Sequence, residues 1–303
     1  MNYEENLMVK IAWYYYMENM TQQKISDKLS ISRIRVIKLL EKARQSGIVQ
    51  FKIRADGTRH IAVENDLISK YDLNDVLVVP SETENTNETI AKAAAMYVGD
   101  RVTPNCFINI GYGDTVSRTL NNLVSSTEVN INLVSLTGGV SFYLTNTSSN
   151  IHNANLFLLP SPLITSSEEM AEAMKQENSL KEIYDMTQLA AMTIVGIGGI
   201  NDTATVISSG ILSKNDFLLL GLQGAVGDLL SQFIDKDGNK VDNDLHDRLI
   251  STPLDSLRDF QNVIGVAAGD EKISAINAVL KGGYLNVLIT DENTANKLLE
   301  IED

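Results

Sequence analysis

The chain has 303 residues, 44% of them apolar and 21% charged, which sustains a packed core and fits about two domains. It lacks the run of about 18 apolar residues that predicts a transmembrane helix and has no leader-like pattern in MNYEENLMVK. Its single cysteine, Cys106, excludes an intramolecular disulfide and a Cys-rich zinc site, so a cytoplasmic protein without metal or cofactor is expected. The formal net charge of −14 hides a segregation: residues 1–60 carry 11 Lys/Arg against 6 Asp/Glu, the remainder 14 against 33. A basic head on an acidic body predicts a nucleic-acid-binding module joined to a domain that stays off DNA.

The first helix is predicted over Glu4 to Glu18, where Leu7, Ile11 and Tyr15 form one apolar stripe, widened by Met8 and Ala12. Thr21 is an N-cap for a second helix, Gln22 to Leu29, with Met20 and Ile25 at the positions of a hydrophobic staple. Ser32 repeats the arrangement for a third helix, Arg33 to Gln45, with Ile31 and Val36 as its staple. Only Ser30-Ile31-Ser32 lies between the two, the spacing of a helix-turn-helix that presents its second helix to the major groove. On that helix Val36, Ile37, Leu40 and Ala43 gather on one face, and Arg35, Lys38 and Lys42 on the other, where they can reach phosphates and base edges. Thr21, Gln22, Ser32 and Arg33 sit at helix N-termini, which also favour phosphate. A solvated basic face on an ordinary three-helix bundle is the plainer alternative. Beyond Gly47, Ile48 to Ile53 alternates as a strand or wing would. Trp13 and Tyr14-Tyr15-Tyr16 read as packing or subunit contacts rather than a stacking platform for bases.

Arg54 to Arg59, RADGTR, reads as the junction between a helix-turn-helix domain at 1–55 and a second domain at 56–303, and His60 to Tyr71 is again helical in pattern. The body then alternates. Strands are predicted at Val76–Val79, Phe107–Ile110, Ile131–Ser135, Leu156–Leu159, Thr193–Gly196, Phe217–Leu220, Val263–Ala267 and Leu285–Ile289. Helices are predicted at Thr86–Val98, Thr115–Val124, Ser166–Met174, Ser179–Met186, Asp270–Leu280 and Glu292–Leu299. The fold class is therefore an N-terminal all-α, winged helix-turn-helix domain with a larger C-terminal doubly wound α/β domain, in which ligands bind outside the carboxyl ends of the strands. Loops expected there are GYGDT at 111–115, TGG at 137–139, GIGG at 196–199, GAVGD at 224–228 and GDEK at 269–272. Glycine permits close backbone approach to an anion but also serves tight strand–helix turns, so each loop alone is a weak signal. None is a P-loop, and Gly111-x-Gly113 lacks the third glycine of a dinucleotide fingerprint. Lys272 is the natural partner of a phosphate and Asp228 of sugar hydroxyls; a solvated lysine and helix capping, for Asp114 also, are the plainer alternatives.

The segment IAWYYYMENMTQQKISDKLSISRIRVIKLLEKARQSGIV resembles the DNA-binding head of the SorC family of bacterial sugar-responsive regulators. Within that family it looks nearest to the autoinducer-responsive and deoxyribonucleoside regulators. The body carries similar landmarks in order: NIGYGDT, VSLTGGV, GIGGI, GAVGDLLSQFIDKDGN, GVAAGDEKISAINAVLKGG and LNVLITDENTA. The resemblance implies a body related to sugar-phosphate isomerases without their catalysis, binding a phosphorylated sugar or polyol in a homo-oligomer, a dimer or tetramer. It implies a DNA-binding regulator, repressor or activator, of a sugar-catabolic operon. It places Gly111, Gly113, Asp114, Thr115, Thr137 and Gly138 around the effector, Asp228 at its hydroxyls and Gly269 and Lys272 at its phosphate. Asn153, in HNAN, corresponds to a polar position near the site. Some relatives carry an arginine where Thr137 stands, and its absence speaks against a bisphosphate.

The rival is a sugar-phosphate isomerase or deaminase with a helical appendage. His60, His152 and His246 fall in no metal-ligand spacing; His60, in the linker, and His246, in a polar helix, read as surface residues, and no G-x-S-x-G elbow is present. Cys106 leads an apolar strand and reads as a small core residue. Asp228 and Lys272 could serve acid–base roles, and one fold hosts both enzymes and sensors; the head favours the regulator.

Overall fold

The computed structural model describes residues 3–46, 48–49, 55–81, 85–139, 153–200, 207 and 212–302. They divide into two compact units, Met1–Thr58 and Arg59–Asp303.

In the first unit α1 (Tyr3–Tyr16), α2 (Gln22–Leu29) and α3 (Arg33–Gln45) surround a small core of Met8, Ile11, Ala12, Ile25, Val36, Leu39, Leu40 and Ala43. Thr21 Oγ1 accepts from the Lys24 amide at 3.3 Å and Ser32 Oγ from the Arg35 amide at 3.2 Å, so both caps form. Between them Ser30 takes the left-handed conformation, φ 53°, and ends α2 without a glycine. The Ser26 hydroxyl donates across the turn to the Ile31 carbonyl at 2.6 Å. One expectation is corrected here: Ile37 is 40% exposed, and Leu39 is buried instead. At about 100° per residue Leu39, Ala43, Val36 and Leu40 span one arc of a helix turned toward both α1 and α2, and Ile37 falls outside it. Of the predicted wing, Ile48 and Val49 lie in a bend against this core, while residues 50–53 lie outside the described residues.

A helix, α4 (Ala55–Tyr71), leads into the body: from Ala55 onward RADGTR is helical rather than a loop, and the division between the two units falls within it, between Thr58 and Arg59. A glycine disfavours a helix by about 1 kcal/mol, and the long amphipathic stretch that follows outweighs it. Seven parallel strands come next: β1 (Asp75–Val79), β2 (Phe107–Ile110), β3 (Ile131–Ser135), β4 (Ala154–Phe157), β5 (Ala190–Gly199), β8 (Val263–Val266) and β9 (Val287–Asp291). They run in the order β1-β9-β8-β5-β2-β3-β4. A short antiparallel hairpin, β6 (Gly227–Leu229) and β7 (Gln232–Ile234), joins the carboxyl end of β5.

Both sheet faces are covered, which explains why these strands read as continuous apolar runs. On one face α5 (Thr86–Gly99) and α6 (Asp114–Ser126) seat Ile90, Ala94, Val98, Val116, Leu120 and Leu123 on Ile108, Ile110, Ile264, Val266, Val287 and Ile289. On the other, α4 joins α10 (Leu254–Asp259), α11 (Ile273–Lys281) and α12 (Glu292–Glu300) over Val76, Val78, Val195, Val263 and Leu288. Near β2 and β3, α7 (Glu168–Gln176) and α8 (Asn178–Thr187) close a smaller core around Leu159, Ala171, Leu180 and Ile250. The chain builds outward from β2 through β3 to β4, then returns to β5 and builds the other way through β8 and β9. The reversal lies between β2 and β5, and at such a switch point the loops diverge and leave a crevice.

Two further expectations fail. Phe217–Leu220, predicted as a strand, lies in α9 (Lys214–Leu222). Its apolar run fits either state; Ser213 decides, its hydroxyl capping the Asp216 amide at 3.2 Å. Gly196–Gly199, expected as a loop, extends β5, because Ile197, Gly198 and Gly199 pair with Leu229, Asp228 and Gly227.

Candidate functional site

The carboxyl ends of β2, β3, β5 and β8 bring most of the singled-out body residues to one side of the sheet. After β2, Gly111 meets the switch point directly: a Cβ there would lie 2.9 Å from Leu230 and 3.3 Å from Val195. Gly113 takes φ +135° with open space around it and starts α6, whose first residues are Asp114 and buried Thr115. The plainer alternative for Asp114, helix capping, is absent: Gly113 is the N-cap, and the carboxylate instead accepts from Arg118 Nε at 2.9 Å and Asn87 Nδ2 at 3.2 Å.

Asp228 is carried in from the side. It lies on β6 opposite Gly198, with Oδ1 where any Cβ on Gly198 would stand. Its Oδ2 accepts from the Ser231 amide at 3.2 Å, so it is a strand residue and not a helix cap. That bond braces an unusual turn. Leu230 and Ser231, the two residues between paired Leu229 and Gln232, both have positive φ, 53° and 62°. Side chains there oppose the left-handed region, and Ser251 adds a second brace through its hydroxyl to the Leu230 carbonyl at 2.9 Å. Burial pushes the Asp228 carboxyl up to about 6, against the pull of the Ser231 amide and the Lys272 charge.

Lys272 ends a 3-10 turn, Asp270–Lys272, that leads into α11. Burial holds its ammonium below the usual lysine range, while the charges of Glu271, Asp228 and Asp114 draw it back up. The charges of Asp228 and Asp114 thus act on Lys272 although the three residues come from separate elements: a strand, the start of a helix and a 3-10 turn. Asp270 anchors the turn by accepting from Lys297 at 2.7 Å and Asn293 at 2.8 Å.

The glycines serve shape more than anion binding. The Gly111 amide donates to the Ile194 carbonyl, Gly138 to Ile250 and Gly269 to Thr294 Oγ1, so those three amides are spent. A Cβ on Gly138 would stand 2.3 Å from the Pro162 carbonyl oxygen, which explains that glycine by packing. Thr137, beside it, is buried and bridges to Ser251. Asn153 is a correction: it lies at the amino end of β4, donating to the Thr127 carbonyl at 3.1 Å and accepting from the Ile131 amide, at the opposite end of the sheet from the crevice. The Ser231 hydroxyl, which sequence reasoning did not single out, is buried with no hydrogen-bond partner among the described residues.

In the first unit Arg33, Arg35 and Lys38 are exposed, and Arg35 and Lys38 form no ion pair among the described residues. Lys42 does: it meets Glu4 at 2.9 Å. Thr21, Gln22 and Arg33 line a surface groove with Tyr15, Tyr16 and Met20, and Trp13 is 56% exposed.

His246 is the last correction. Expected at the surface, it is buried, stacks on Phe233 and accepts from the Phe233 amide through Nε2 at 2.9 Å. Burial holds its imidazole below the usual histidine range, and it is a structural acceptor. His60 lies on α4, and His152 lies outside the described residues. Cys106 is half-buried beside β2 against the α5–α6 core. Among the described residues no cluster of His, Cys, Asp or Glu could hold a metal ion, and no helix is long and apolar enough to cross a membrane.

Comparison with known proteins places this arrangement. Residues 56–300 match the Sugar-bind family, described as a sugar-binding domain. The transcriptional regulator LsrR of Escherichia coli K12 is 37% identical over 303 residues, covering 98% of this chain and 95% of that protein. The LsrR of Enterobacter sp. strain 638 is 34% identical over 98% of this chain and 94% of its own. Among solved structures, the full-length sorbitol operon regulator SorC from Klebsiella pneumoniae superposes with a TM-score of 0.69 at 26% identity, covering 98% of this chain and 100% of that one. A transcriptional regulator from Streptococcus pneumoniae TIGR4 gives a TM-score of 0.70 at 25% identity over 80% of this chain and 98% of its own.

Proposed function

The chain belongs to the SorC/LsrR-like family of sugar-responsive transcriptional regulators, and on that premise we propose that it reads operator DNA with α2 and α3 and senses a monophosphorylated sugar in the crevice between β2 and β5. It is a regulator and not an enzyme, as its relatives are.

The DNA half of the proposal rests on α3. Its exposed face offers Arg35 and Lys38 to phosphates and base edges, with Ser32, Arg33, Thr21 and Gln22 at helix starts where amides favour a phosphate. Lys42 contributes only by leaving Glu4. Two heads of a homodimer or homotetramer would occupy successive major grooves of a palindromic operator upstream of a sugar-catabolic operon.

The effector half rests on one observation: a buried carboxylate, Asp228 on the hairpin strand beside β5, and a half-buried ammonium, Lys272 in the turn after β8, act on each other's charge at the carboxyl end of the sheet. A polyol satisfies the first, because a carboxylate offers several acceptor sites to hydroxyls, and a phosphate the second. The first amides of α6, at Asp114 and Thr115, are unspent in the helix and supply further donors to the phosphate. Gly111, Gly138 and Gly269 shape the walls. With Thr137 in the TGG loop no second cation is offered there, which favours one phosphate over two. The effector acts by binding one arrangement of the bodies more tightly than another and so shifting the heads.

Thermal unfolding against a panel of sugar phosphates and their unphosphorylated parents tests this. A ligand at ~100 times its dissociation constant stabilises the native state by about 2.7 kcal/mol. The expected result is a shift with a phosphorylated sugar, absent for its parent and lost in Lys272→Ala, whose operator binding is unchanged. A shift that survives Lys272→Ala would overturn the phosphate assignment.

A further inference from the structure

The start of α6 is tied to α5 by side-chain bonds that packing does not require. Arg118, one turn along α6, donates from Nε to Asp114 Oδ2 at 2.9 Å and from Nη1 to Glu88 Oε2 at 3.2 Å. Asn87 Nδ2 donates to the same Asp114 oxygen at 3.2 Å, and Asn122 Nδ2 to Glu88 Oε1 at 3.2 Å. The central pair is 44% and 47% exposed, and ion pairs at that exposure contribute little to stability. The two helices already meet through a buried apolar seam.

Charge supplies a reason for the network. Asp114 is a negative group in the first turn of α6, beside the amides offered to the phosphate, and its field reaches Lys272. Left unpaired, it would repel an incoming phosphate and compete with it for the ammonium. A guanidinium that binds the carboxylate and is itself held by Glu88 weakens both effects and fixes the carboxylate beside Asn87.

We propose that Arg118 is a positioning residue for anion recognition: by holding the Asp114 carboxylate it keeps Lys272 and the start of α6 available to the phosphate group of the effector. Arg118 does not touch the ligand in this arrangement. The inference rests on the phosphate reading of the crevice given above.

Inorganic phosphate is the appropriate probe, because it reports on the phosphate half of the site without the sugar hydroxyls. Calorimetric titration of the full chain at low ionic strength would compare wild type, Arg118→Gln, Asp114→Asn and the double variant, with Arg118→Lys as a charge-retaining control. Arg118→Gln is expected to weaken phosphate binding by about tenfold, the change that 1.4 kcal/mol produces. Asp114→Asn binds at least as tightly as wild type, the double variant returns to within about twofold of Asp114→Asn, and Arg118→Lys recovers most of the loss. The gap between wild type and Arg118→Gln narrows as salt rises and the screening length shortens from ~30 to ~8 Å. Unchanged binding in Arg118→Gln overturns the proposal. So does a double variant as weak as Arg118→Gln, which would make Arg118 a direct ligand. If the wild type itself binds no phosphate, the crevice reading fails and the inference falls with it; the other two failures leave that reading standing.

Discussion

Replacing Asp228 by asparagine should stabilise the protein at neutral pH while impairing its response to an effector. The side chain is 9% exposed, and burial raises its carboxyl from 3.8 to about 6 despite the Ser231 amide and Lys272. The raised value means that the fold opposes ionisation. Below about pH 3 the carboxyl is protonated in both folded and unfolded chains and nothing is lost. As pH climbs from about 3 to 6 the unfolded chain gives up its proton first, and stability falls; above about pH 7 the deficit is constant. The interval corresponds to about 3 kcal/mol. Asparagine has nearly the same shape and retains an oxygen for the Ser231 amide, but cannot ionise. Urea unfolding of the full chain and the Asp228→Asn variant from pH 3 to 8 should therefore give curves that meet near pH 3. They should separate to about 3 kcal/mol by pH 7.5, with a thermal midpoint about 6 to 12 °C higher in the variant. A gap independent of pH, or a variant less stable at pH 7.5, would refute the reasoning.

Other expectations are tested separately. Replacing Arg35 and Lys38 together with alanine should weaken operator binding at every sequence and reduce the slope of log affinity against log salt by about 2, read by fluorescence anisotropy; an unchanged slope would remove both from the phosphate contacts. His246→Phe should destabilise by about 1 to 3 kcal/mol at pH 8, since the Phe233 amide loses its acceptor. The wild type, whose folded His246 resists protonation, should lose stability as pH falls below 6.5, and the variant should lose less; equal acid limbs would show that His246 does not titrate with unfolding. Gly227→Ala would place a Cβ 2.3 Å from that of Ala275 and 2.6 Å from the Gly198 carbonyl oxygen. It should cost about 1 to 3 kcal/mol by overpacking and weaken effector binding by moving the neighbouring Asp228, checked by urea unfolding and ligand-induced thermal shift; an effector shift of wild-type size would separate the hairpin from recognition.

The sequence makes some of this plain and hides the rest for identifiable reasons. The head is legible because its signals are local: Thr21 and Ser32 act within one turn of themselves, and staple and stripe fix each helix before tertiary contacts count. The parallel strands are legible because burial on both faces makes each a short apolar run. Strand and helix become indistinguishable in such runs when nothing marks the ends, and Phe217–Leu220 fails on that ground; Ser213 was the available signal. The β6–β7 hairpin carries no signal at all. Its turn needs two residues with positive φ, normally Asn, Asp or Gly, and uses Leu230 and Ser231 held by Asp228 and Ser251 from outside. Asp228 and Lys272 stand out by residue type and place in glycine-containing segments. The pairing of Lys42 with Glu4 and the burial of His246 depend on residues far off in sequence or in other elements, which no periodicity reveals.

The place of β1 has a consequence for how the molecule comes into being. Among the described residues, the first strand of the body finds its neighbour only in the last, with Asp75 opposite Val287 and Val79 opposite Asp291. On the ribosome the three helices of the head emerge early and make contacts close in sequence, the kind that form fast. The sheet must wait. Until β9 is synthesised, β1 has no strand to join and β8 keeps an open edge, a template for pairing with another chain. A product shortened by its final twenty or so residues would thus possess a finished head and an unclosed sensor, and degradation signals or chaperones that act on open strand edges would meet it at that stage.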